Sequence, residues 1–520
     1  APPVTAPEAS VERGRYGVRS YDADGELLRA DTLRADGTLI CRELPVMTPD
    51  GKRRQQQFFA PDGSPSVLLG SAWGVYYLWL DHLIGEDDAV IVNESKSTAR
   101  FMSRYQHPRT SLLHLFHESH LAHEAGDDPF KGELGSAHRR VLPHLDRFDG
   151  VVFLTQRQRD DVAARFGGAV NLHSIPNAGP PVIELPRKRF DASRRDNRGI
   201  VVATLKPLKR LDHAVRAIAG VRAAGRQVSL DLYGRDGGSR AAIEAAVAET
   251  GTSEVVKLHG YTTDAARLFA GASFSLMTSL TEGQSLVLLE SMAAGCVPIS
   301  YDIRYGPSEI IVDGETGFLV PPGDLDALTE TITRFLRLSG RRLRRLRAQC
   351  QERLSAFSDA EVYERWCAVE HAAIAQARRR ISLTAYDVED VAVHAEPDGF
   401  GIEVTLAACW DVERWTAPEP PTPTAALLLT GRRHGAPRRV AMELKALGAP
   451  SSPAPPSRFR ATVRVDPRAA GLSERTTDVS VELSCEATSR RARLRGPIAA
   501  RAAGHEIFAT GYGNLSLRPA

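Results

Sequence analysis

Residues 274–295 read FSLMTSLTEGQSLVLLESMAAG. The first four residues suit a short buried strand, and a polar turn, Ser279 to Gln284, follows. Leu286, Leu289 and Met292–Ala293 then recur at helical spacing, which predicts a helix with those residues on its packed side. Glu282 falls at the carboxyl edge of the strand, and Glu290 falls about one and a half turns into the helix. Between them the amides of Gln284, Ser285, Leu286 and Val287 have no intrahelical acceptors and carry the positive end of the helix dipole. That is a seat for a phosphate group. A carboxylate on either side can accept paired hydrogen bonds from a vicinal diol. Solvated or capping glutamates in an ordinary α/β unit would share the spacing, so the surrounding sequence has to decide.

Working outward, strands are predicted at 200–204, 228–233, 255–258, 274–277 and 297–300, with helices at 213–224, 240–249 and 286–294 between them. This alternation predicts a doubly wound parallel sheet. Upstream, 89–92, 112–115 and 151–154 read as buried parallel strands, with helices at 134–148 and 156–166. The polar run 184–199 reads as a linker. Asp-Gly turns at 22–25, 35–37, 49–51 and 61–63 predict consecutive antiparallel hairpins over 15–70. Residues 341–380 are helical and arginine-rich. Beyond 381, β-prone runs at 400–406, 425–429, 440–444, 459–465 and 479–483, broken by proline-rich segments, predict a β-sandwich of about seven strands. The domains expected are therefore 1–70 (leader and hairpin module), 71–185 and 196–340 (two Rossmann-like domains facing a cleft), 341–380 (a helical closing segment) and 381–520 (the accessory sandwich).

Composition sets the limits. The chain has 520 residues, and its 66 basic and 64 acidic side chains nearly cancel to +2, which argues against a dedicated nucleic-acid binder. No apolar run reaches the length of a membrane-spanning helix. The first residues, APPVTAPEASVERGRYG, have neither the charged start nor the apolar stretch of a signal peptide and read as a leader or a trimmed start. Six scattered cysteines without a CxxC pair read as free thiols of a reducing cytoplasm, and the remaining pairing to consider is Cys409 with Cys485.

Glu282-x7-Glu290, with AAGCVPIS (293–300), resembles the nucleotide-sugar site of retaining GT-B glycosyltransferases. YDIRYGPSEII (301–311) and DGETGFLV (313–320) narrow the resemblance to poly(glycerol-phosphate) α-glucosyltransferases and their wall-teichoic-acid relatives. The hairpins at 15–70 resemble the extra β-module of those enzymes. The resemblance is strong over 196–338, good over 110–180, loose over 15–105 and absent beyond 381.

It implies that Glu290 holds the ribose hydroxyls, that Glu282 contacts the transferred sugar and steadies an oxocarbenium-like transition state, and that Gly283, Gln284, Ser285 and Leu286 offer backbone contacts. In this family an Arg, and a Lys five positions later, neutralise the diphosphate. Here Lys209 fits the second position but Thr204 occupies the first, leaving Lys206 and Arg210 as candidate substitutes. His120, in LFHESHLAH (115–123), matches the cleft histidine that contacts the donor sugar, and His117 precedes it. By the same analogy Gly260 and Tyr261 lie near the base.

Alternative readings of these segments are weaker. The spacing of HESH differs from that of helical zinc motifs, and no second ligand cluster stands out. YGRDGG (233–238) does not make GxGxxG. No DxD pair falls in a cleft position, which agrees with transfer that needs neither metal nor cofactor beyond the UDP-sugar co-substrate.

The function expected is transfer of a hexose, glucose or N-acetylglucosamine, to a hydroxyl of a polyol-phosphate polymer. The setting expected is cytoplasmic, with a peripheral position at the inner membrane face and a homo-oligomer both compatible. Basic runs at 187–189, 194–198 and 337–347 suit a polyanionic acceptor or are simply solvated. A protein or glycolipid acceptor, or a non-catalytic carbohydrate-polymer binder, are the other readings.

Overall fold

The computed structural model describes residues 8–48, 51–105, 107–122, 128–167, 169–183, 197–412, 415–431, 437–449, 454–467, 470 and 476–520. The expected linker at 184–199 and the basic runs at 187–189 and 194–198 lie almost wholly outside these residues, as do the turn centred on Asp50 and His123. Two compact units result. One comprises Ala1–Ala89 with Arg104–Thr110, and the other comprises Val90–Ser103 with Ser111–Ala520.

The first unit is a six-stranded antiparallel meander, β1 (Ser10–Gly14), β2 (Gly17–Tyr21), β3 (Leu27–Leu33), β4 (Leu39–Thr48), β5 (Gly51–Phe59) and β6 (Pro65–Leu69), each strand beside the next. The expected hairpins are present. Asp22, Asp36 and Asp62 each accept backbone N–H bonds within their turns, and Gly25, Gly37 and Gly63 take the left-handed φ those turns require. Helix Ala72–Ile84 follows, and the Tyr105 hydroxyl donates to Asp81 at 2.8 Å.

The second unit opens with a four-stranded sheet, ordered β10-β9-β8-β7 from β7 (Ala89–Asn93), β8 (Thr110–Phe116), β9 (Gly150–Phe153) and β10 (Leu172–Ser174). Helix Gln156–Phe166 matches expectation. The helix expected at 134–148 does not form. Two short 3-10 turns, His138–Arg140 and Leu142–Arg147, replace it, with His144 outside helical geometry. Pro143 removes a backbone donor there and conflicts with the preceding turn, so apolar spacing does not prevail.

The next sheet contains β11 (Arg198–Val202), β12 (Ser229–Tyr233), β13 (Val256–Gly260), β14 (Phe274–Met277), β15 (Val297–Tyr301) and β16 (Phe318–Val320), all parallel. Its order, β13-β12-β11-β14-β15-β16, is the doubly wound order 3-2-1-4-5-6, with its switch point between β11 and β14. One core runs through it, from Val201 and Leu230 to Leu289, Ile299 and Phe335. Helix Gly340–Arg353 adds Leu346 and Cys350 to that core. The following helix, Asp359–Ala377, returns to the earlier sheet, where Val362, Val369 and Ala373 pack with Leu113, Leu115 and Val152. The helical segment thus ties both Rossmann-like sheets together.

Among the described residues after 381 the chain forms one antiparallel sheet of ten strands instead of about seven. The additional strands include Ser382–Glu396, too acidic and too little buried to announce itself, and the short Thr488–Arg493, whose arginines obscure its alternation. Cys409 and Cys485 do not pair, and none of the six cysteines is in a disulfide.

Candidate active site

At the switch point the carboxyl ends of β11 and β14 diverge and leave a cavity of about 280 Å³. Its lining includes Thr204, Lys209, Ser279, Glu282, Gln284, Ser285 and Leu286. Helix Leu286–Ala293 starts at its wall with Ser285 as N-cap, and the Ser285 side chain does not bond to the first helix amides. They remain available to an anion. Leu288, Leu289, Met292 and Ala293 are buried on the packed side. Leu286, expected among them, is instead 48% exposed at the cavity, because the first helical position faces the cleft and not the sheet.

Glu282 is held twice. Lys209 Nζ donates to its Oε1 at 2.5 Å, and the buried Ser279 hydroxyl donates to the same oxygen at 2.7 Å. Lys209 ends a short 3-10 turn, Pro207–Lys209, and the next residue, Arg210, takes a left-handed φ of 48°. That reversal sends the Arg210 guanidinium away from the cavity, onto His213 and over the Tyr301 ring at 5.8 Å. Lys206 is exposed and lies alongside Gly237. Neither Lys206 nor Arg210 lines the cavity, whereas Thr204 does. Glu290 is half-buried in the helix, and burial raises its pKa above the ordinary carboxylate value. Gly260 accepts from the Gly234 amide at 2.8 Å, and Tyr261 is exposed with the Arg235 guanidinium 4.1 Å above its ring.

The facing wall is the loop after β8. Gly283 lies so close to it that a Cβ would sit 2.0 Å from the His117 carbonyl oxygen, so no larger residue fits without displacing backbone. His117 is exposed, with Glu94 at 3.9 Å. His120 is not brought to the cavity. It is fully buried, 5.9 Å from the Tyr305 ring, and burial pushes its pKa down to about 4, so the ring is neutral. Among the described residues no group of three His, Cys, Asp or Glu side chains is placed to hold a metal.

Several contacts fix the two walls and were not singled out in the sequence. Arg304 donates two bonds of 2.7 Å to Asp161, and the Tyr305 hydroxyl adds one of 2.8 Å. Glu309 accepts from the Gln156 and Arg157 amides, occupying the start of helix Gln156–Phe166. Gln284 Oε1 accepts from the Asn177 amide at 2.6 Å. Gln284, Arg304, Tyr305 and Glu309 all lie at 284 or in the run 301–311, which stands out in the sequence, whereas their partners do not. Within the basic run 337–347, Arg347 is buried and not solvated.

Two Rossmann-like sheets, with Lys209, Glu282 and a helix start at the switch-point cavity, make up an arrangement of GT-B type. Residues 183–353 match the family described as glycosyl transferases group 1. It is similar to poly(ribitol-phosphate) alpha-N-acetylglucosaminyltransferase of Staphylococcus aureus, 25% identical over 259 residues, 50% of each chain. It is also similar to poly(glycerol-phosphate) alpha-glucosyltransferase of Bacillus subtilis, 23% identical over 262 residues, 49% of this chain and 37% of that one. The crystal structure of TarM shares the fold, with a TM-score of 0.53 and 18% identity over 69% of this chain and 78% of that chain. The match spans half or less of the length of these curated relatives.

Proposed function

We propose that this chain is a retaining glycosyltransferase that moves a hexose from a UDP-sugar to a hydroxyl of a polyol-phosphate polymer. The observation that carries the reading is the switch-point cavity, where Lys209, an uncapped helix start and Glu282 converge. The diphosphate would rest on the first helical amides and Lys209, and Glu290 would take the ribose hydroxyls. The backbone from Gly283 to Leu286 would line the donor, with Gly260 and Tyr261 near the base.

On this reading the leaving phosphate accepts the acceptor proton on the face it departs from. Glu282 stabilises the positive charge that develops on the sugar, while His120, buried and outside the cavity lining, holds the shape of the facing loop. Positioning of the two substrates supplies much of the rate. The reading requires no metal and no further cofactor, so EDTA leaves the rate unchanged. No helix among the described residues is long and apolar enough to cross a membrane. We place the reaction on the cytoplasmic side, where UDP-sugars and a growing polymer meet.

The test is UDP release from a panel of UDP-sugars, with glycerol-phosphate and ribitol-phosphate polymers, a serine-rich protein and a glycolipid as acceptors. Release that depends on a polyol-phosphate polymer supports the proposal. UDP binding without release under any acceptor indicates a binding protein, a reading to which Thr204 in place of the expected Arg lends weight.

A further inference from the structure

The Lys209–Glu282 pair occupies the two groups that the proposed donor needs, which raises the question of what separates them. Their side chains are 22% and 15% exposed, so neither charge could lose its partner cheaply. Ser279 donates to the same carboxylate oxygen and is itself buried. A diphosphate in the cavity carries more negative charge than one carboxylate, and it would meet Lys209 beside the uncapped helix start.

We propose that Lys209 is an exchangeable counterion, bound to Glu282 in the empty site and to the diphosphate in the filled one, and that Ser279 is the positioning residue that holds Glu282 when Lys209 leaves. This rests on the donor-site reading above. The exchange keeps every charge partnered in both states. Empty, the two side chains neutralise each other. Filled, Lys209 faces phosphate, while Glu282 keeps the Ser279 hydroxyl and turns its released hydrogen-bonding capacity to the sugar hydroxyls. Diphosphate arrival thereby unmasks Glu282, and reunion of the pair favours departure of UDP after transfer. No bond is made or broken in the exchange; only ionic and hydrogen-bond partners change.

Isothermal titration with UDP tests this on the full chain, with thermal unfolding measured for each variant. Glu282→Gln frees Lys209 and should tighten UDP binding about tenfold. Lys209→Met should weaken it. In the double variant the gain from Glu282→Gln should disappear, because there is no lysine to release. A gain that persists without Lys209 would mean simple repulsion between carboxylate and phosphate, and would overturn the exchange. So would an unchanged or weaker affinity in Glu282→Gln. Ser279→Ala should leave UDP affinity unchanged and lower the transfer rate about tenfold, with Ser279→Thr restoring it; an unaltered rate would remove the positioning role. A wild-type chain that binds no UDP would sink the donor reading itself.

Discussion

The loop after β14 and the loop after β8 face each other across one cleft, yet they treat polar groups in opposite ways. On the β14 side Lys209, Glu282 and Ser279 pair within a cavity, and helix amides are left open. On the β8 side His120 is buried and neutral, His114 is buried against Asn93, and His117 presents its backbone to Gly283. On the proposed reading, one wall exchanges partners with a charged ligand, and the other holds a shape against which that ligand is pressed. Charged groups beside a helix start can be read from a linear sequence, whereas a wall defined by close approach cannot.

The largest effect should come from the exchanging wall. Glu282→Gln should lower transfer by roughly 10²–10³-fold while UDP remains bound, as measured by steady-state UDP release beside titration. A rate within a few-fold of wild type would remove Glu282 from the chemistry. Glu290→Ala should weaken UDP binding by roughly tenfold to a hundredfold through loss of a charged hydrogen-bonding partner. Unchanged affinity would end its ribose assignment.

The shape-holding wall should respond differently. Gly283→Ala forces a methyl group onto the His117 carbonyl, so we expect about 1–3 kcal/mol of lost stability in denaturant titration, with transfer lost before folding. Asp161→Asn weakens the grip of Arg304 and Tyr305 on helix Gln156–Phe166. It should lower stability by about 1–2 kcal/mol, discounted because Arg304 is partly exposed. Its UDP affinity should change less than its transfer rate; the reverse pattern would make the contact part of the donor site.

The remaining test is a pH slope. Burial lowers His114 and His120 to about 4, below the ordinary histidine value. Between those values the unfolded chain binds protons that the folded chain refuses. Stability from this source is therefore complete above about pH 6.5, falls as pH drops toward 4 and levels off below it. His120→Asn should flatten the slope of melting temperature over that window, and an unchanged slope would mean that His120 does not titrate as a buried group.

The legible features share a physical property: each is local. Helices 156–166 and 240–249 and strand β14 follow from apolar period and turn chemistry within a dozen residues. The Asp-Gly hairpins follow from φ requirements of single positions. The Glu282 and Glu290 spacing needs only helix geometry to place one before the helix and one within it, and of the two only Glu282 lines the cavity. The failures are equally specific. Pro143 overrides apolar spacing at 134–148, and Leu286 is exposed because its place in the helix, not its apolarity, sets its direction.

By itself, then, the sequence determined the order of strands and helices, the hairpin module and the acidic pair at a helix start, because these depend on neighbours in the chain. Only the tertiary structure decided that β11 and β14 flank a cavity, that Lys209 crosses 73 positions to reach Glu282, and that Arg210 points elsewhere. It also decided that His120 is buried and that Asp161 is bound by residues 143 and 144 positions away. Such pairings arise from how sheets order themselves and how closely loops approach. Those are properties of packing between distant segments, and no local pattern of residue types encodes them.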